Sequence, residues 1–503
     1  MQGTAAGQPR SGGQPEPVHG VGQPERAVGV GDGYAARAVE VALRTGVMLL
    51  ESGAETTDTE RSMRRMLRGL GLAGAEALVT YSIVAVSHVQ GGGVLPTTAM
   101  RAVPSWHTNY ERLAAVSDVA NAVAAGQLGL DAAEAALEDA ATTRRPYPGW
   151  VLAAAAGASA AALAILFGGS PLDALATLVV GMLVQPIVVA VERTRLPPLF
   201  QTAAGVAATT ALVTLIAALG ALAHPSLVLT GAVLRFLPGA TLVAGMRDLM
   251  DRSIVSGTAR LAEALLLGGA VAGSLGVVLA GAASLGVRLT ISLEGGVSWP
   301  LPVLVGASAI AVAFYAIGLG VPTRVLLTCS LLGALATLVG QGLVTTFAQL
   351  GEVFVAALVV GVLGRLFARQ LEAPWTLWAV PAVLVLLPGL TIVQAMLAPT
   401  VTLQVSLLAE ALLTAFAIGV GVASGDIVVS AYLRIRETIV VPVAGAVVGG
   451  IDRLVARPGD QGDDPEPDRD ADRPDRDAAP DRDEGPDRDA APDRNDDTPR
   501  PSR

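Results

Sequence analysis

The sequence predicts an α-helical polytopic membrane protein. It should have ten transmembrane helices as a 5+5 inverted repeat, preceded by a small α+β cytosolic domain. Three observations predict this fold class: an apolar composition, ten long apolar stretches and a duplicated set of motifs. Of 503 residues, 52% are hydrophobic and only 16% are charged. Soluble proteins carry about 25% charged residues, so this composition needs lipid as its solvent and disfavours a cytosolic enzyme.

Changes in composition divide the chain into six segments. The predicted segments are a disordered arm (1–33), a cytosolic α+β domain (34–145), a first five-helix membrane repeat (146–285), a second five-helix membrane repeat (286–425), a cytosolic or interfacial extension (426–456) and a disordered Asp/Arg/Pro-rich tail (457–503). The tail holds 9 Arg and 17 Asp/Glu, or −8 of the net charge of −10. The acidity of the chain is therefore mostly a property of its tail, which is expected to be a solvated, disordered segment.

The segment 34–145 shows helical and strand-like patterns. We expect helices over 35–50, from Thr57 or Asp58 to Gly69, over 109–125 and over 131–143, with strands at 77–89 and 97–103 that pair through a turn at 91–93. Residues 1–33 are rich in Gly, Pro and Gln and lack an apolar core. Without a signal peptide, this region should stay in the cytoplasm.

Ten apolar stretches follow, each close to the roughly 20 residues that a spanning helix needs. The predicted spans are 149–168, 172–191, 198–222, 226–246, 258–282, 299–319, 323–343, 347–366, 374–396 and 402–423; the run 439–450 is too short and should pack at the interface. Arginines cluster in the alternate loops that face inward, whereas the outer loops carry only Arg288. This asymmetry follows the positive-inside rule and predicts a multi-pass plasma-membrane protein with both termini in the cytoplasm.

The membrane region repeats its motifs at an offset of about 150 residues. The matches pair Trp150 with Trp299, 157–160 with 306–309, 237–241 with 387–391, and 261–266 with 408–413. They fall on spans 1/6, 4/9 and 5/10, so the unit has five spans and inserts the second time with opposite orientation. Inverted halves are typical of secondary transporters, whose substrate site lies at the repeat interface near the midplane.

Two Pro-Gly pairs sit mid-span at matching positions, Pro238-Gly239 and Pro388-Gly389. Proline removes a backbone donor and glycine loosens the chain, so each pair predicts a broken helix. Such breaks are the best sequence pointer to a transport site, although a simple packing kink is the alternative. Thr241 and Thr391 follow the breaks and could offer hydroxyl groups to a polar substrate.

Four charged residues in the spans or next to them are further candidates. Arg235 could hold a substrate carboxylate, or it could pair with Asp248, Asp173 or Glu410. Glu410 and the repeat-related Glu263 could carry a proton, as could Asp248, because charge in hydrocarbon costs several kcal/mol, at least about 2.5. The alternative for each carboxyl is a hydrogen-bonded structural role, and for Glu263 an interfacial place near Arg260.

The chain resembles the threonine/serine exporter family over about residues 34–425. The resemblance rests on segments 49–56, 60–71, 112–135 and 145–148, on 166–170, 237–239, 248–249 and 256–260, and on 354–369 and 387–389 in the second half. Within 49–56, the family motif covers Glu51, Gly53, Glu55 and Thr56, which a helix cap alone could also explain. The resemblance implies export of threonine and serine driven by the proton motive force. The segment 57–59 differs from the family pattern.

We therefore expect a secondary transporter for a small amino-acid substrate that works with protons in a lipid bilayer, and that could also form a homo-oligomer. One alternative is a ligand-sensing, channel-like or regulatory membrane protein, and the other is a membrane-anchored hydrolase that uses the N-terminal domain. The single cysteine, the scattered histidines and the missing phosphate-binding loop predict no metal, no cofactor and no catalytic residue. No nucleic-acid partner is expected.

Overall fold

The fold is taken from a computed structural model. It describes residues 30–89, 96–104, 108–142, 147–194, 196–287, 289, 296–343 and 349–435. The predicted arm up to residue 29, most of the interfacial extension and the acidic tail lie outside these residues, and the last four residues of the arm belong to the first helix. So do the predicted turn at 91–93 and the run 439–450.

The N-terminal part consists of four helices and a three-stranded antiparallel sheet in the order β1-β2-β3. These elements are α1 (Val30–Glu51), α2 (Thr56–Gly69), β1 (Ala75–Val79), β2 (Ile83–His88), β3 (Thr97–Ala102), α3 (Tyr110–Ala124) and α4 (Leu130–Thr142). Helix α2 begins one residue after Glu55, whose side chain makes no cap hydrogen bond, and not at the expected cap of Thr57 or Asp58. Asn109, the first residue of the expected helix, instead caps α3, since its side chain accepts a hydrogen bond from the Arg112 amide.

The prediction of a single strand over 77–89 is wrong. The segment forms two strands, β1 and β2, that pair with each other so that Val79 lies opposite Val84. Thr80 makes the reversal: its side-chain oxygen accepts from the Ile83 amide, at 3.1 Å, and its amide donates to the Ile83 carbonyl, at 2.8 Å. The apolar run continues through this turn, so its periodicity hid the reversal. The expected strand at 97–103 is present as β3 and pairs with β2.

The remaining helices are long and apolar. They are α5 (Gly149–Leu166), α6 (Pro171–Glu192), α7 (Pro198–Ala218), α8 (Pro225–Val233), α9 (Gly239–Met250), α10 (Ile254–Ser284), α11 (Leu301–Leu319), α12 (Thr323–Leu343), α13 (Gln349–Gln370), α14 (Thr376–Val383), α15 (Gly389–Leu397) and α16 (Val401–Ile435). In the described residues nine spans are long and apolar enough to cross a membrane, and a tenth is added if the bent pair α8/α9 forms one span. The chain is therefore a polytopic membrane protein, as expected. Helix α16 continues to Ile435, beyond the predicted span end at 423.

Both Pro-Gly pairs break their helices. A short 3-10 turn, Leu234–Phe236, separates α8 from α9, and the two parts are bent by 49°. An equivalent turn, Leu384–Leu386, separates α14 from α15. Pro238 has φ −79° and ψ 53° and Pro388 has φ −80° and ψ 49°, so the two breaks share one backbone conformation.

Glycine allows α13 and α16 to pack backbone against backbone. A Cβ atom at Gly361 would overlap the Val422 carbonyl, and one at Gly425 would overlap the Leu358 carbonyl. Helices α9 and α10 approach in the same way, because a Cβ at Gly257 would lie 2.8 Å from the Leu249 amide nitrogen. These close approaches bring Arg365 of α13 to Asp426 of α16, and Asp248 of α9 to Arg260 of α10.

The two ends of the helical bundle have different contacts between their loops. At one end the N-terminal part lies against the bundle, where Tyr81 donates its amide to Ser256 and Asn121 donates to the Glu372 carbonyl. At the other end Asp173 of α6 accepts from the His224 backbone and contacts its ring nitrogen at 2.8 Å. The end that contacts the N-terminal part is the inner end, because its loops are those predicted to face inward.

Candidate functional site

The two helix breaks meet each other inside the bundle. A Cβ atom at Gly239 would lie 3.3 Å from Leu387, in the second break, and one at Gly389 would overlap Leu234, in the first. Helix α8 packs on α15, and α14 packs on α9. The predicted substrate residues of both halves therefore belong to one region, although 150 residues separate them in the chain.

The backbone at each break keeps hydrogen bonds, since Gly239 donates to the Leu237 carbonyl and Gly389 to the Leu387 carbonyl, both at 2.8 Å. Beyond each proline the chain resumes its helix, as Leu242 donates to the Pro238 carbonyl and Ile392 to the Pro388 carbonyl. Thr241 and Thr391 are half-buried on the first turn of the new helix. In the described residues neither hydroxyl makes a hydrogen bond, so both remain open to a ligand.

Arg235 lies one turn before the first break, where it bonds to an amide and not to an acid. Its Nη2 donates to Gln185 Oε1 at 2.6 Å, and its guanidinium lies 5.3 Å from the centre of the Phe236 ring. Its Nη1 is buried and has no hydrogen-bond partner in the described part of the chain. A guanidinium in an apolar region with a donor to spare can bind a carboxylate.

The acids that were alternative partners of Arg235 lie elsewhere. Asp173 bonds to His224 at the other end of the bundle. Asp248 pairs with Arg260 through Nε at 3.0 Å. Glu410 is half-buried in α16.

The carboxyls expected to carry protons have different surroundings. Glu263 interacts with the Tyr81 phenol of the N-terminal part, and the Arg260 guanidinium lies 5.4 Å from the Tyr81 ring. Glu263 thus lies one turn from Arg260 on α10, beside the N-terminal part. Asp248 is fully buried and accepts from Thr56, at 2.6 Å, as well as from Arg260. Of the three, Glu410 alone makes no hydrogen bond or ion pair within the described chain.

The family motif at the end of α1 connects the N-terminal part to the bundle. Gly53 has a φ of +103°, which a residue with a side chain rarely adopts. This turn places Glu51 against Arg112, at 3.2 Å, and points Thr56 into the bundle, where it donates to Asp248. Arg260 completes the contact by donating to the Ala54 carbonyl at 3.0 Å.

A buried ion network lies at this contact, and Arg247 is its centre. Arg247 pairs with Asp426 of α16 and with Asp251, the latter at 3.1 Å, and Glu55 lies 3.9 Å away. Arg365 of α13 pairs with the other oxygen of Asp426 at 3.2 Å. Asp426 is fully buried and Arg247 nearly so. The network therefore joins α9, α13 and α16 of the bundle to the N-terminal part.

Glu55 and Asp58 are the N-terminal acids of this network, and their pKa values move in opposite directions. Burial and then the charge of Asp58 raise the pKa of Glu55 well above its ordinary value. Burial also acts to raise the pKa of Asp58, but the nearby Arg61, Arg365 and Arg247 outweigh it and lower that pKa. Glu55 accepts a bond from the Trp375 indole at 3.2 Å, while its other oxygen is buried without a partner. A protonated Glu55 would fit this place.

Sequence reasoning missed most of the network. The missed residues are Asp58, Arg247, Arg365, Trp375 and Asp426. The available signal was Asp426, an acid within an apolar helical run that continues past the expected end of the last span. Its partners could not be found, because Arg247 is separated from it by 179 positions in the sequence.

Up to ten apolar spans in the described chain, with two broken helices meeting between them, define a multi-pass membrane protein of the transporter class. Two family models, both described as threonine/serine exporter, match residues 40–281 and 304–431. The chain belongs to the threonine/serine exporter family, so it is a transporter that exports amino acids and not an enzyme.

Two relatives cover most of the chain. One is a "Probable threonine/serine exporter" of Mycobacterium tuberculosis, which is 27% identical over 431 residues, or 83% of this chain and 81% of the relative. The other is a "Threonine/serine exporter" of Corynebacterium glutamicum, which is 26% identical over 422 residues, or 77% of this chain and 81% of the relative. No solved structure gives a significant match.

Removing the acid shared by two arginines should destabilise the fold strongly. In Asp426→Asn, Arg247 and Arg365 lose a buried counter-charge, and breaking a buried pair costs about 3–5 kcal/mol. The midpoint of thermal unfolding in detergent should fall clearly below that of the wild type. The control is Glu138→Gln, which removes an exposed partner of Arg44 and should cost at most about 1 kcal/mol. Equal midpoints for the two variants would contradict the network's structural role.

Glu55 should make stability depend on pH. Because its pKa is raised in the folded state, its contribution is complete below its ordinary pKa and is lost as the pH rises towards the folded value. Glu55→Gln keeps an acceptor for Trp375 and cannot ionise, so it should be more stable relative to wild type at pH 7.5 than at pH 5. Unfolding midpoints measured across this range, with exposed Glu40→Gln as the control, test this. A constant difference between Glu55→Gln and wild type would show that Glu55 does not titrate.

Proposed function

We propose that this protein is a secondary active exporter that moves threonine and serine out of the cytoplasm and is driven by the proton motive force. The family and the names of both relatives support the export of these amino acids. The arginine distribution supports a plasma-membrane orientation with both termini inside, because the positive-inside rule assigns loops 251–253 and 371–375 to the cytoplasm. The N-terminal part contacts these loops or their neighbours and would therefore lie on the same side.

The membrane region is proposed to consist of two inverted five-helix halves. The contacts are reciprocal: α8 of the first half packs on α15 of the second, as α14 packs on α9, and α9 meets α16 as α15 meets α10. The matched backbone angles at Pro238 and Pro388 support the same relation. Halves of opposite orientation allow the protein to open alternately to each side.

The substrate site is proposed to lie where the two breaks meet. The observation that carries this proposal is the half-buried Arg235, whose Nη1 is buried without a partner beside the first break. It would hold the substrate carboxylate, since guanidinium and carboxylate match in charge and geometry. The hydroxyls of Thr241 and Thr391 would bond the hydroxyl and ammonium groups of the substrate.

Glu410 is proposed as the residue that carries the coupling proton. Asp248 and Glu263 are weaker candidates for this role. Asp248 and Glu263 are engaged by Arg260 and Tyr81, respectively, and would have to leave these partners to exchange a proton. Glu410 is half-buried in an apolar helix, where ionisation costs several kcal/mol, at least about 2.5. Its proton could be gained and lost without breaking a described ion pair.

Replacing Glu410 should uncouple transport from the pH gradient. In vesicles loaded with the purified protein, an imposed gradient should accelerate labelled threonine flux in the wild type and have no such effect in Glu410→Gln. The control is Glu352→Gln, which replaces a glutamate in the first turn of α13. Wild-type rates for Glu410→Gln at all pH values would reject Glu410 as the proton carrier, and no gradient effect in the wild type would reject the driving force.

Replacing Arg235 should impair substrate binding. Arg235→Gln retains a donor for Gln185 but loses the charge that attracts a carboxylate, so the concentration for half-maximal threonine flux should rise about tenfold or more. Arg235→Lys keeps the charge and should recover part of this loss. If Arg235→Gln transports threonine with unchanged affinity, the carboxylate is bound elsewhere.

A further inference from the structure

A large cavity at the inner end is separate from the meeting point of the breaks. It measures about 970 Å³ and lies between α2 and α3 on one side and α13, the start of α14 and α16 on the other. Trp375 lines it, and Pro388 lies 13 residues further along the chain, beyond α14 and the turn Leu384–Leu386. No residue of either break lines the cavity, so the proposed substrate site does not account for it.

The cavity wall is rich in arginine. Arg61, Arg65, Arg365 and Arg369 line it, with Asp58 and Glu372 as the acids. Asp58 is already shared by Arg61 and Arg365. In the described residues Arg65 has no ion pair, and its guanidinium makes only a long bond of 3.4 Å to the Ser62 hydroxyl. Positive charge is therefore in excess at this wall.

The titration of Arg65 agrees with this excess. Burial, and then the charge of Arg61, lower the pKa of Arg65, and Arg365 and Arg68 act in the same direction. Asp58 opposes them only in part. A bound anion would remove this repulsion between arginines that α2 and α13 hold close together.

Two buried hydroxyl groups of the same wall are also unpartnered. Thr59 is fully buried and Ser430 is 8% exposed, yet the oxygen of neither side chain has a hydrogen-bond partner in the described chain. They lie on opposite sides of the cavity, Thr59 on α2 and Ser430 on α16. Buried polar atoms are rarely left without a partner, so these two donors indicate that a ligand with acceptor oxygens completes the site.

We propose that this cavity binds a phosphate-bearing anion through Arg65, Arg61, Thr59 and Ser430. Guanidinium groups bind phosphate through paired hydrogen bonds, and hydroxyl groups supply further donors. The volume is at the upper end of the range for drug-sized ligands, which is larger than a threonine molecule requires. The phosphate belongs either to a soluble metabolite or to the headgroup of an anionic lipid, since basic pockets on the cytoplasmic side of membrane helices suit both.

Such a ligand would bridge the N-terminal part and the bundle. Thr59 and Arg65 belong to α2, whereas Ser430 belongs to α16, so a single phosphate group would hold these helices together. Its binding would favour the conformation in which the ion network around Arg247 is intact. The site would thus regulate the inner end without touching the substrate.

Binding of pyrophosphate to the full chain tests the soluble source. The protein is placed in nanodiscs of phosphatidylcholine, and pyrophosphate is titrated by calorimetry. Arg65→Gln should weaken binding about tenfold or more, and Thr59→Val should weaken it less. Arg68→Gln, an exposed arginine one turn along α2 and not on the cavity wall, should bind within about twofold of wild type.

The lipid source is tested by extracting the protein with detergent from membranes that contain phosphatidylglycerol. Here the wild type and Arg68→Gln should retain phosphatidylglycerol through purification in detergent, measured by mass spectrometry, and Arg65→Gln should retain clearly less. A difference between Arg65→Gln and Arg68→Gln in either experiment supports the proposal and identifies the source. Equal behaviour of these two variants in both experiments overturns it. It is also overturned if threonine, and not pyrophosphate, binds the wild type and loses affinity in Arg65→Gln.

Discussion

A buried arginine, Arg247, is the constraint on which the inner end of the molecule depends. Its charge can be buried only with counter-charges close by, and these come from Asp251 at the end of its own helix and from Asp426 of α16, while Glu55 of the N-terminal part lies 3.9 Å away. Glycine contacts between α13 and α16 bring Arg365 to the other oxygen of Asp426. Any separation of the three parts would leave a charge unpaired, so the network favours a single arrangement of them.

The centre of the bundle follows a different rule. Here the helices break, and mostly apolar side chains from each break cover the glycine of the other. Arg235 is the exception: it donates one hydrogen bond to the Gln185 amide oxygen, and its Nη1 has no partner in the described residues. Charge is thus compensated at the inner end and left available at the centre. This division suits a transporter that must stay assembled while its substrate site changes partners.

Local chemistry explains what the sequence could predict. Proline and glycine act on their own backbone, so both breaks could be placed to the residue, and long apolar runs marked the spans. Contacts between distant residues could not be placed in this way. Thr56 and Asp248, whose side chains form a hydrogen bond of 2.6 Å, lie 192 residues apart. No local sequence pattern in either segment indicates the other as its partner. The hairpin at Thr80 was missed for a related reason, because alternation of apolar residues continues unchanged through the turn.

The central claim is that substrate is bound between the two breaks, in contact with both halves. Its most direct test is labelling of single cysteines by a small maleimide, in a Cys329→Ala background, with cysteine placed at Thr241 or at Thr391. Threonine and serine are expected to slow labelling at both positions, because one molecule would cover both, and Thr400→Cys at an exposed loop should be unaffected. Protection at neither position, or protection at Thr400 alone, would contradict the account.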